Sequence, residues 1–185
     1  IGASEIPTSV IEKMCGLLLE KFKFKIVVPG LLFIDTPGHE AFITLRKRGG
    51  SIADMAVLVI DINEGIKPQT AECLDILKNE KTPFVVAINK IDKIQGWKSE
   101  KTCSCSLIEN LENQSEMTKN IFEEKFYSVI SHLSDYGFFC DRFDRVFDFR
   151  KTIAAVPTSG KSGEGVPELL TVLIGLAQQF LKEQL

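Results

Sequence analysis

The chain has 185 residues, a formal net charge of −3 and 44% hydrophobic residues, which predicts one soluble domain with a core of its own. The weak negative charge excludes a polyanion-binding surface spread over the whole chain, and no apolar run is long enough for a membrane-spanning helix or a signal peptide. The five cysteines are odd in number and scattered, which predicts reduced thiols in a cytoplasmic protein rather than disulfides.

The first part of the chain predicts two helices and one hairpin. After a small and polar start, apolar spacing predicts a helix over residues 7–19. Strict alternation predicts a strand at 22–26, and Pro29-Gly30 predicts a turn into a buried strand at 31–34. We expect these two strands to pair antiparallel at one side of a sheet. A second helix is expected over residues 39–48.

The remaining chain alternates strands with helices, the pattern of an α/β fold with a parallel sheet. Residues 96–150 interrupt this alternation with a polar stretch and a helical pattern, and we expect a mainly helical insertion packed on a single domain, residues 1–185. The other predicted elements are strands at 56–61, 83–88 and 152–156 and helices at 67–79 and 167–184.

Four side chains in or beside the insertion are potential zinc ligands, namely Cys103, Cys105, His132 and Cys140. Two cysteines separated by one residue do not make the usual C-x₂-C pair of a structural zinc site. Free thiols are the better explanation, and no zinc is expected.

The strand at 31–34 runs into Asp35-Thr36-Pro37-Gly38-His39. In open α/β sheets ligands lie beyond the carboxyl ends of the strands, where Asp35 is placed to hold Mg²⁺ through water. The bare N–H of Gly38 can approach an anion. An ordinary turn after a strand explains the same residues, so this stretch alone does not establish a site.

The strand at 83–88 runs into Asn89-Lys90-Ile91-Asp92. Asp92 can accept hydrogen bonds from the ring N–H and the exocyclic amine of guanine. Adenine offers no such pair, and a buried polar group left unmatched makes discrimination steep. Lys90 can lay its apolar stem along the base, and Asn89 can tie two binding loops together. Because one strand and one helix separate the two stretches, we expect both at the same edge of one parallel sheet.

These two stretches resemble the third and fourth motifs of translational GTPases. The flanking sequence is similar to translation initiation factor 2 of the archaeal and eukaryotic type, also called initiation factor 5B. The resemblance implies a three-layer P-loop GTPase domain, or G domain, with helices on both faces of the sheet, and GTP or GDP with Mg²⁺ as ligands. The matching runs are residues 1–7, 29–42, 45–50, 61–70 and 163–170.

The resemblance also implies residue roles. Asp35 would hold Mg²⁺, the Gly38 N–H would touch the γ-phosphate and His39 would orient the attacking water as the catalytic residue. Ser159-Gly160-Lys161 resembles the fifth motif, whose backbone N–H meets the guanine oxygen, although the family often has alanine at Gly160. The full expected cofactor-binding set is Asp35, Thr36, Pro37, Gly38, His39, Asn89, Lys90, Ile91, Asp92, Ser159, Gly160 and Lys161.

The partners implied by the resemblance are the ribosome, with its RNA near the GTPase site, and initiator tRNA, which later domains absent here would contact. Neither DNA nor a membrane is expected. The basic triplet Arg46-Lys47-Arg48 is explained equally well by a contact with ribosomal RNA and by ordinary helix-end chemistry.

Residues 155–162 nearly satisfy the phosphate-loop pattern G-x-x-x-x-G-K-[ST]. Only 23 residues follow Ser162, too few for another strand, so we expect no phosphate loop here. In the resemblance the P-loop, its strand and the switch threonine precede Ile1. We therefore expect this chain alone to bind GTP barely or not at all. The empty place between the strands ending at Asp35 and Asp61 should close by rearrangement or by a strand-exchanged or edge-paired dimer.

Two other functions fit part of the sequence. A non-hydrolysing docking module with the same fold accounts for the architecture, but it has no need of a guanine-reading Asn89–Asp92. An ATP-using P-loop enzyme built on residues 160–162 fails on motif order.

Overall fold

The computed structural model of the protein describes residues 2–21, 25–35, 54–99 and 106–183. Several expectations lie outside these ranges. They concern Thr36, Pro37, Gly38 and His39, the helix at 39–48 with its basic triplet, the strand residues 22–24, and Cys103 and Cys105.

The described residues form an α/β fold with two short 3₁₀ turns, at Ile91–Lys93 and Phe143–Arg145. None of the described helices is long and apolar enough to cross a bilayer. The elements in chain order are β1 (Gly2–Pro7), α1 (Thr8–Lys21), β2 (Gly30–Asp35), β3 (Ala56–Asp61), α2 (Pro68–Glu80), β4 (Phe84–Asn89), α3 (Leu107–Glu112), α4 (Glu116–Asp135), β5 (Cys140–Arg142), β6 (Ile153–Pro157) and α5 (Val166–Glu183).

The main sheet has four parallel strands in the order β3-β4-β6-β5. Its register places Asp61 beside Asn89 and Ile88 beside Pro157. Since the strands are parallel, the ends of β3, β4 and β6 open at one edge, which is where ligands bind in sheets of this kind.

Helices cover both faces of this sheet, as expected of a three-layer fold. Val86 and Ile88 of β4 lie in one core cluster with Leu74 of α2 and Phe126 of α4. The intervening Val85 lies in another cluster, with residues of α5. Burial on both sides explains why β4 is a continuous apolar run in the sequence, which allowed this strand to be predicted.

The predicted hairpin between residues 22–26 and 31–34 is wrong. The antiparallel partner of β2 is β1, with Gly2 opposite Asp35 and Pro7 opposite Gly30, and residues 25–27 form no strand. The two backbones approach closely at Gly30, where a Cβ would lie 2.7 Å from the carbonyl oxygen of Ile6. The polar start of the chain therefore forms a strand through backbone pairing rather than through an apolar face.

The expectation that both polar stretches end strands of one parallel sheet is also wrong. The two strands β1 and β2 form a separate sheet, and β2 does not pair with β3 or β4. Leu31 and Phe33 of β2 do pack in the same core cluster as Val57 of β3. The two sheets therefore share a packed layer without sharing a hydrogen-bonded ladder. β2 is only half-buried, with Leu32 65% exposed.

The insertion is helical in part, but it also builds the main sheet. Its strand β5 pairs in parallel with β6 and forms an edge of the sheet. Phe122 and Phe126 of α4 are fully buried against Ile60 and Ile88 of the central strands. The segment is therefore an integral layer of the domain. β5 was missed because it is three residues long and carries two charged side chains.

Candidate functional site

The ends of β4 and β6 lie side by side, and hydrogen bonds join the segments that follow them. Oδ1 of Asn89 accepts the backbone N–H of Gly160 at 3.0 Å and that of Lys90 at 2.8 Å. The hydroxyl of Ser159 donates to Oδ1 of Asp92 at 2.6 Å. The structure thus brings together residues that the sequence placed in the fourth and fifth motifs.

The base loop, residues 158–165 between β6 and α5, is held by internal hydrogen bonds. The N–H of Ser159 donates to the carbonyl of Glu164 at 2.8 Å, and Ser159 is fully buried. Gly165 closes the loop with a φ of +74°, and a Cβ at this position would lie 1.9 Å from the carbonyl oxygen of Pro157. Only glycine therefore fits where the base loop returns past the end of β6.

Asp92 is half-buried in the 3₁₀ turn after β4. The bond from Ser159 fixes the direction of its carboxylate. An ionised carboxylate offers about four acceptor positions on its two oxygens. One bond from Ser159 thus leaves the capacity to accept two donors from a planar ligand. This is the hydrogen-bonding pattern that the ring N–H and exocyclic amine of guanine require.

Lys90 adopts a left-handed backbone conformation, with φ 68° and ψ 34°, which is uncommon for a residue with a Cβ. Its Nζ pairs with Oδ2 of Asp61 at 2.7 Å. Burial raises the pKa of Asp61, but hydrogen bonds from Lys90 and the Asn63 N–H outweigh it, and the pKa is lowered overall. The hydrogen bond from Lys90 to Asp61 raises the pKa of Lys90 in turn.

Asp61 is a site residue that the sequence reasoning missed. It ends β3 in register with Asn89, and this position beside the fourth motif was the available signal. By binding the Lys90 ammonium, Asp61 anchors the far end of the side chain whose stem is predicted to lie along the base.

Two predicted binding residues contribute through their backbone. The side chain of Ile91 is fully buried in the core, where no ligand reaches it, and its N–H donates to the Thr158 carbonyl at 3.3 Å. The N–H groups of Lys161 and Ser162 both point at the Ser159 hydroxyl, at 3.3 and 3.1 Å. Because these amides are already bonded within the protein, residues 160–162 do not form a phosphate-binding loop. This agrees with the sequence analysis, which expected no phosphate loop at the near match over residues 155–162.

The predicted phosphate end of the site is described only at Asp35, the exposed last residue of β2. A single carboxylate at the end of a strand suits Mg²⁺, which keeps several waters and takes one or two carboxylates. Among the described residues no group of three or more His, Cys, Asp or Glu side chains is arranged to hold a metal ion. The assignment of Mg²⁺ to Asp35 therefore stays a prediction.

The described cysteines are free thiols, as expected: Cys15, Cys73 and Cys140. Burial raises the pKa of Cys140 to about 12, so this thiol stays protonated at neutral pH. A thiol that stays protonated is a poor nucleophile.

Comparison with known proteins gives one consistent family. A family model described as the elongation factor Tu GTP binding domain matches residues 12–179. The probable translation initiation factor IF-2 of Methanopyrus kandleri is 57% identical over the whole chain, and that of Sulfolobus acidocaldarius is 50% identical. The chain spans 31% and 30% of the length of these two relatives.

Two solved structures also match this chain. The crystal structure of GDP-bound aIF5B from Aeropyrum pernix matches with a TM-score of 0.91 and 50% identity, covering 99% of this chain and 30% of that one. Translation elongation factor SelB from Methanococcus maripaludis, in its apo form, has a TM-score of 0.53 and 23% identity over 91% of this chain and 31% of its own, and shares the fold. The resemblance read from the motifs is therefore confirmed, and the chain belongs to the family of elongation factor Tu GTP-binding domains.

Proposed function

We propose that this chain forms the base-recognising part of the GTP-binding domain of a translation initiation factor of the 2/5B type, and that the intact factor hydrolyses GTP to GDP and phosphate. The observation that carries the proposal is the contact of Ser159 with Asp92, next to the contact of Gly160 with Asn89. A module that only docks a partner has no need to hold a carboxylate in this orientation.

The proposed base site discriminates by hydrogen bonding. The fixed carboxylate of Asp92 accepts the N1–H and the exocyclic N2–H of guanine, whereas adenine leaves it unmatched. Lys90, tethered at its tip by Asp61, presents its methylene stem as one wall for the base. Asn89 holds the base loop against the end of β4 and keeps these groups in place.

At the other end of the nucleotide, Asp35 is proposed to hold Mg²⁺ through water. A Mg²⁺ ion held there would supply positive charge at the phosphate end of the site. Thr36, Pro37 and Gly38 are proposed to contact the phosphate end, and His39 to orient the attacking water. The support for these roles is their position directly after β2, together with the family to which the chain belongs.

Within the described residues β2 pairs only with β1, and β3 pairs only with β4, so each of these strands has one unpaired edge. Leu32 of β2 and Val59 of β3 are 65% and 58% exposed. Unpaired strand edges invite pairing with another chain. We therefore propose that the isolated 185-residue chain forms edge-paired dimers, which sedimentation over a concentration series would detect.

The partners proposed for the intact factor are the ribosome and initiator tRNA, with subunit joining as the outcome and the cytoplasm as the location. The support is the set of relatives named initiation factor IF-2. Because the chain spans about 30% of those relatives, contacts with tRNA are assigned to other domains.

The test is Asp92→Asn in the intact factor, with affinities measured for guanine and xanthine nucleotides. Asparagine presents an amide N–H₂ where the carboxylate accepted, so it should match xanthine, which carries an oxygen in place of the exocyclic amine. We expect guanine affinity to fall by about two orders of magnitude and xanthine affinity to rise.

The matched control is Asp75→Asn on α2, which leaves the edge of the sheet untouched. Equal guanine affinity in the Asp92→Asn and wild-type proteins would contradict the base site. Such a result would favour the alternative of a docking module with a G-domain-like fold.

A further inference from the structure

The carboxylate of Glu164 joins the base loop to the inserted segment. Its Oε2 accepts the Ser162 hydroxyl at 2.6 Å, within the loop itself. Its Oε1 accepts the indole N–H of Trp97 at 3.4 Å and a side-chain N–H of Asn110. The backbone carbonyl of the same residue accepts the Ser159 N–H at 2.8 Å. One residue thus contacts both the loop that orients Asp92 and the insertion behind it.

The insertion side of this contact is itself firmly held. Asn110 on α3 is 3% exposed and Gln114, one turn later, is 5% exposed. The Gln114 amide donates to Oδ1 of Asn110 at 2.9 Å and to the Lys98 carbonyl at 2.9 Å. A satisfied network of buried amides is rigid, since every alternative arrangement leaves a buried polar group unpaired. Glu164 therefore binds to a fixed platform rather than to mobile surface groups.

A second carboxylate secures the same platform without touching Ser159. Glu168, near the start of α5, is 5% exposed and accepts the Leu107 N–H, at the start of α3, at 2.7 Å. This bond docks α3 on α5. α3 therefore has an anchor on α5 that does not involve Glu164. The contacts of Glu164 instead join α3 to the base loop.

Trp97 lies five residues after Asp92 along the chain, and its ring packs 5.9 Å from that of Phe122 in the core. The segment from Asn89 to Trp97 therefore contacts the base loop along its whole length. Asn89, Ile91 and Asp92 bond to the first half of the loop, and Trp97 bonds to Glu164 near its end.

We propose that Glu164 is a positioning residue for base recognition, which clamps the base loop to the α3 platform and so holds Ser159 on Asp92. The inference rests on the proposed guanine site. It adds that the hydrogen bonds of Glu164 connect the base site to Trp97 and α3, so that a nucleotide bound at Asp92 alters the environment of Trp97.

The test compares Glu164→Ala with Glu164→Gln in the intact factor. Alanine removes all three side-chain contacts. Glutamine keeps Oε1 for Trp97 and Asn110 and offers an N–H₂ that the Ser162 hydroxyl can accept. We expect alanine to raise the dissociation constant for GDP about tenfold and glutamine to restore it to within about twofold of wild type. Both variants should keep the preference for guanine over xanthine, because Asp92 is intact.

Kinetic and fluorescence measurements distinguish a positioning role of Glu164 from a general loss of rigidity in the domain. Glu164→Ala should raise KM and leave kcat unchanged, because the base is remote from the reacting phosphate. Nucleotide binding should change the fluorescence of Trp97, identified by subtraction of a Trp97→Phe variant, and Glu164→Ala should abolish this change. Trp97→Phe keeps the aromatic packing and should weaken GDP binding less than Glu164→Ala does. In the double variant, the loss of GDP affinity should be smaller than the sum of the two single losses, because both changes remove the same hydrogen bond.

Wild-type GDP affinity in Glu164→Ala would overturn the proposal, as would an equal loss in Glu164→Ala and Glu164→Gln. If Glu164→Ala does not fold, the Trp97→Phe and Ser162→Ala variants test the proposal instead. Unchanged GDP affinity in both of these variants would also overturn it. The base site is tested separately. If Asp92→Asn changes the preference from guanine to xanthine while Glu164→Ala keeps the wild-type affinity for GDP, the positioning role of Glu164 is refuted and the base site is not.

Discussion

The hydroxyl of Ser159 lies 2.6 Å from Oδ1 of Asp92, although 67 residues separate them in the chain. The contact exists because β4 and β6 are parallel neighbours whose ends open at the same edge of the sheet. Ser159 is fully buried, so its hydroxyl must find a partner within the protein. It donates to Asp92 and accepts two backbone N–H groups of its own loop.

Replacing Ser159 by alanine should weaken both the site and the fold. The change removes the donor to Asp92 and leaves the N–H groups of Lys161 and Ser162 without their acceptor. We expect the free energy of unfolding to fall by about 1–3 kcal/mol and GDP affinity of the intact factor to fall about tenfold. Urea unfolding and calorimetric titration measure the two effects. Ser134→Ala, on the exposed side of α4, is the control, and equal behaviour of the two variants would contradict this role.

Two glycines of the base loop should respond differently to substitution by alanine. At Gly160 a Cβ would lie 3.8 Å from the Asn89 amide nitrogen, an ordinary contact. Gly160→Ala should therefore be neutral or stabilise by up to about 1 kcal/mol through the unfolded chain. At Gly165, with φ +74° and the Pro157 carbonyl oxygen 1.9 Å from a Cβ, alanine should cost at least about 2 kcal/mol. Urea unfolding curves of the two variants check this, and equal midpoints would disprove it.

The ion pair of Asp61 with Lys90 predicts a particular dependence of stability on pH. Because the folded-state pKa of Asp61 lies below its ordinary value of 3.8, the unfolded chain binds the proton more tightly. The stabilisation is therefore complete above pH 3.8 and is lost as the pH falls through the lower folded-state value. Asp61→Asn should flatten the acid limb of stability measured by urea unfolding between about pH 5 and pH 2. Asp54→Asn is the control, and parallel acid limbs in wild type and Asp61→Asn would refute the assignment.

The elements and motifs that could be predicted from sequence are those that local chemistry specifies. β3 and β4 are apolar on both faces, so each reads as an unbroken run with a sharp polar end. Pro68 begins α2 at a position where its missing N–H costs nothing. The guanine-binding role proposed for Asn89–Asp92 follows from the donors and acceptors of those side chains. The sequence by itself therefore determined the parallel α/β core and the chemistry offered at the end of β4.

Only the tertiary structure decided which distant segments meet. The pairing of β2 with β1 rather than with residues 22–26, the ion pair of Lys90 with Asp61, and the hold of Glu164 on Trp97 all join positions that no local pattern connects. Such contacts depend on sheet order and on close backbone approaches like that of Gly30 to Ile6, where a Cβ would lie 2.7 Å from a carbonyl oxygen. Periodicity reports which face of an element is apolar, whereas packing and long-range hydrogen bonding choose the neighbour.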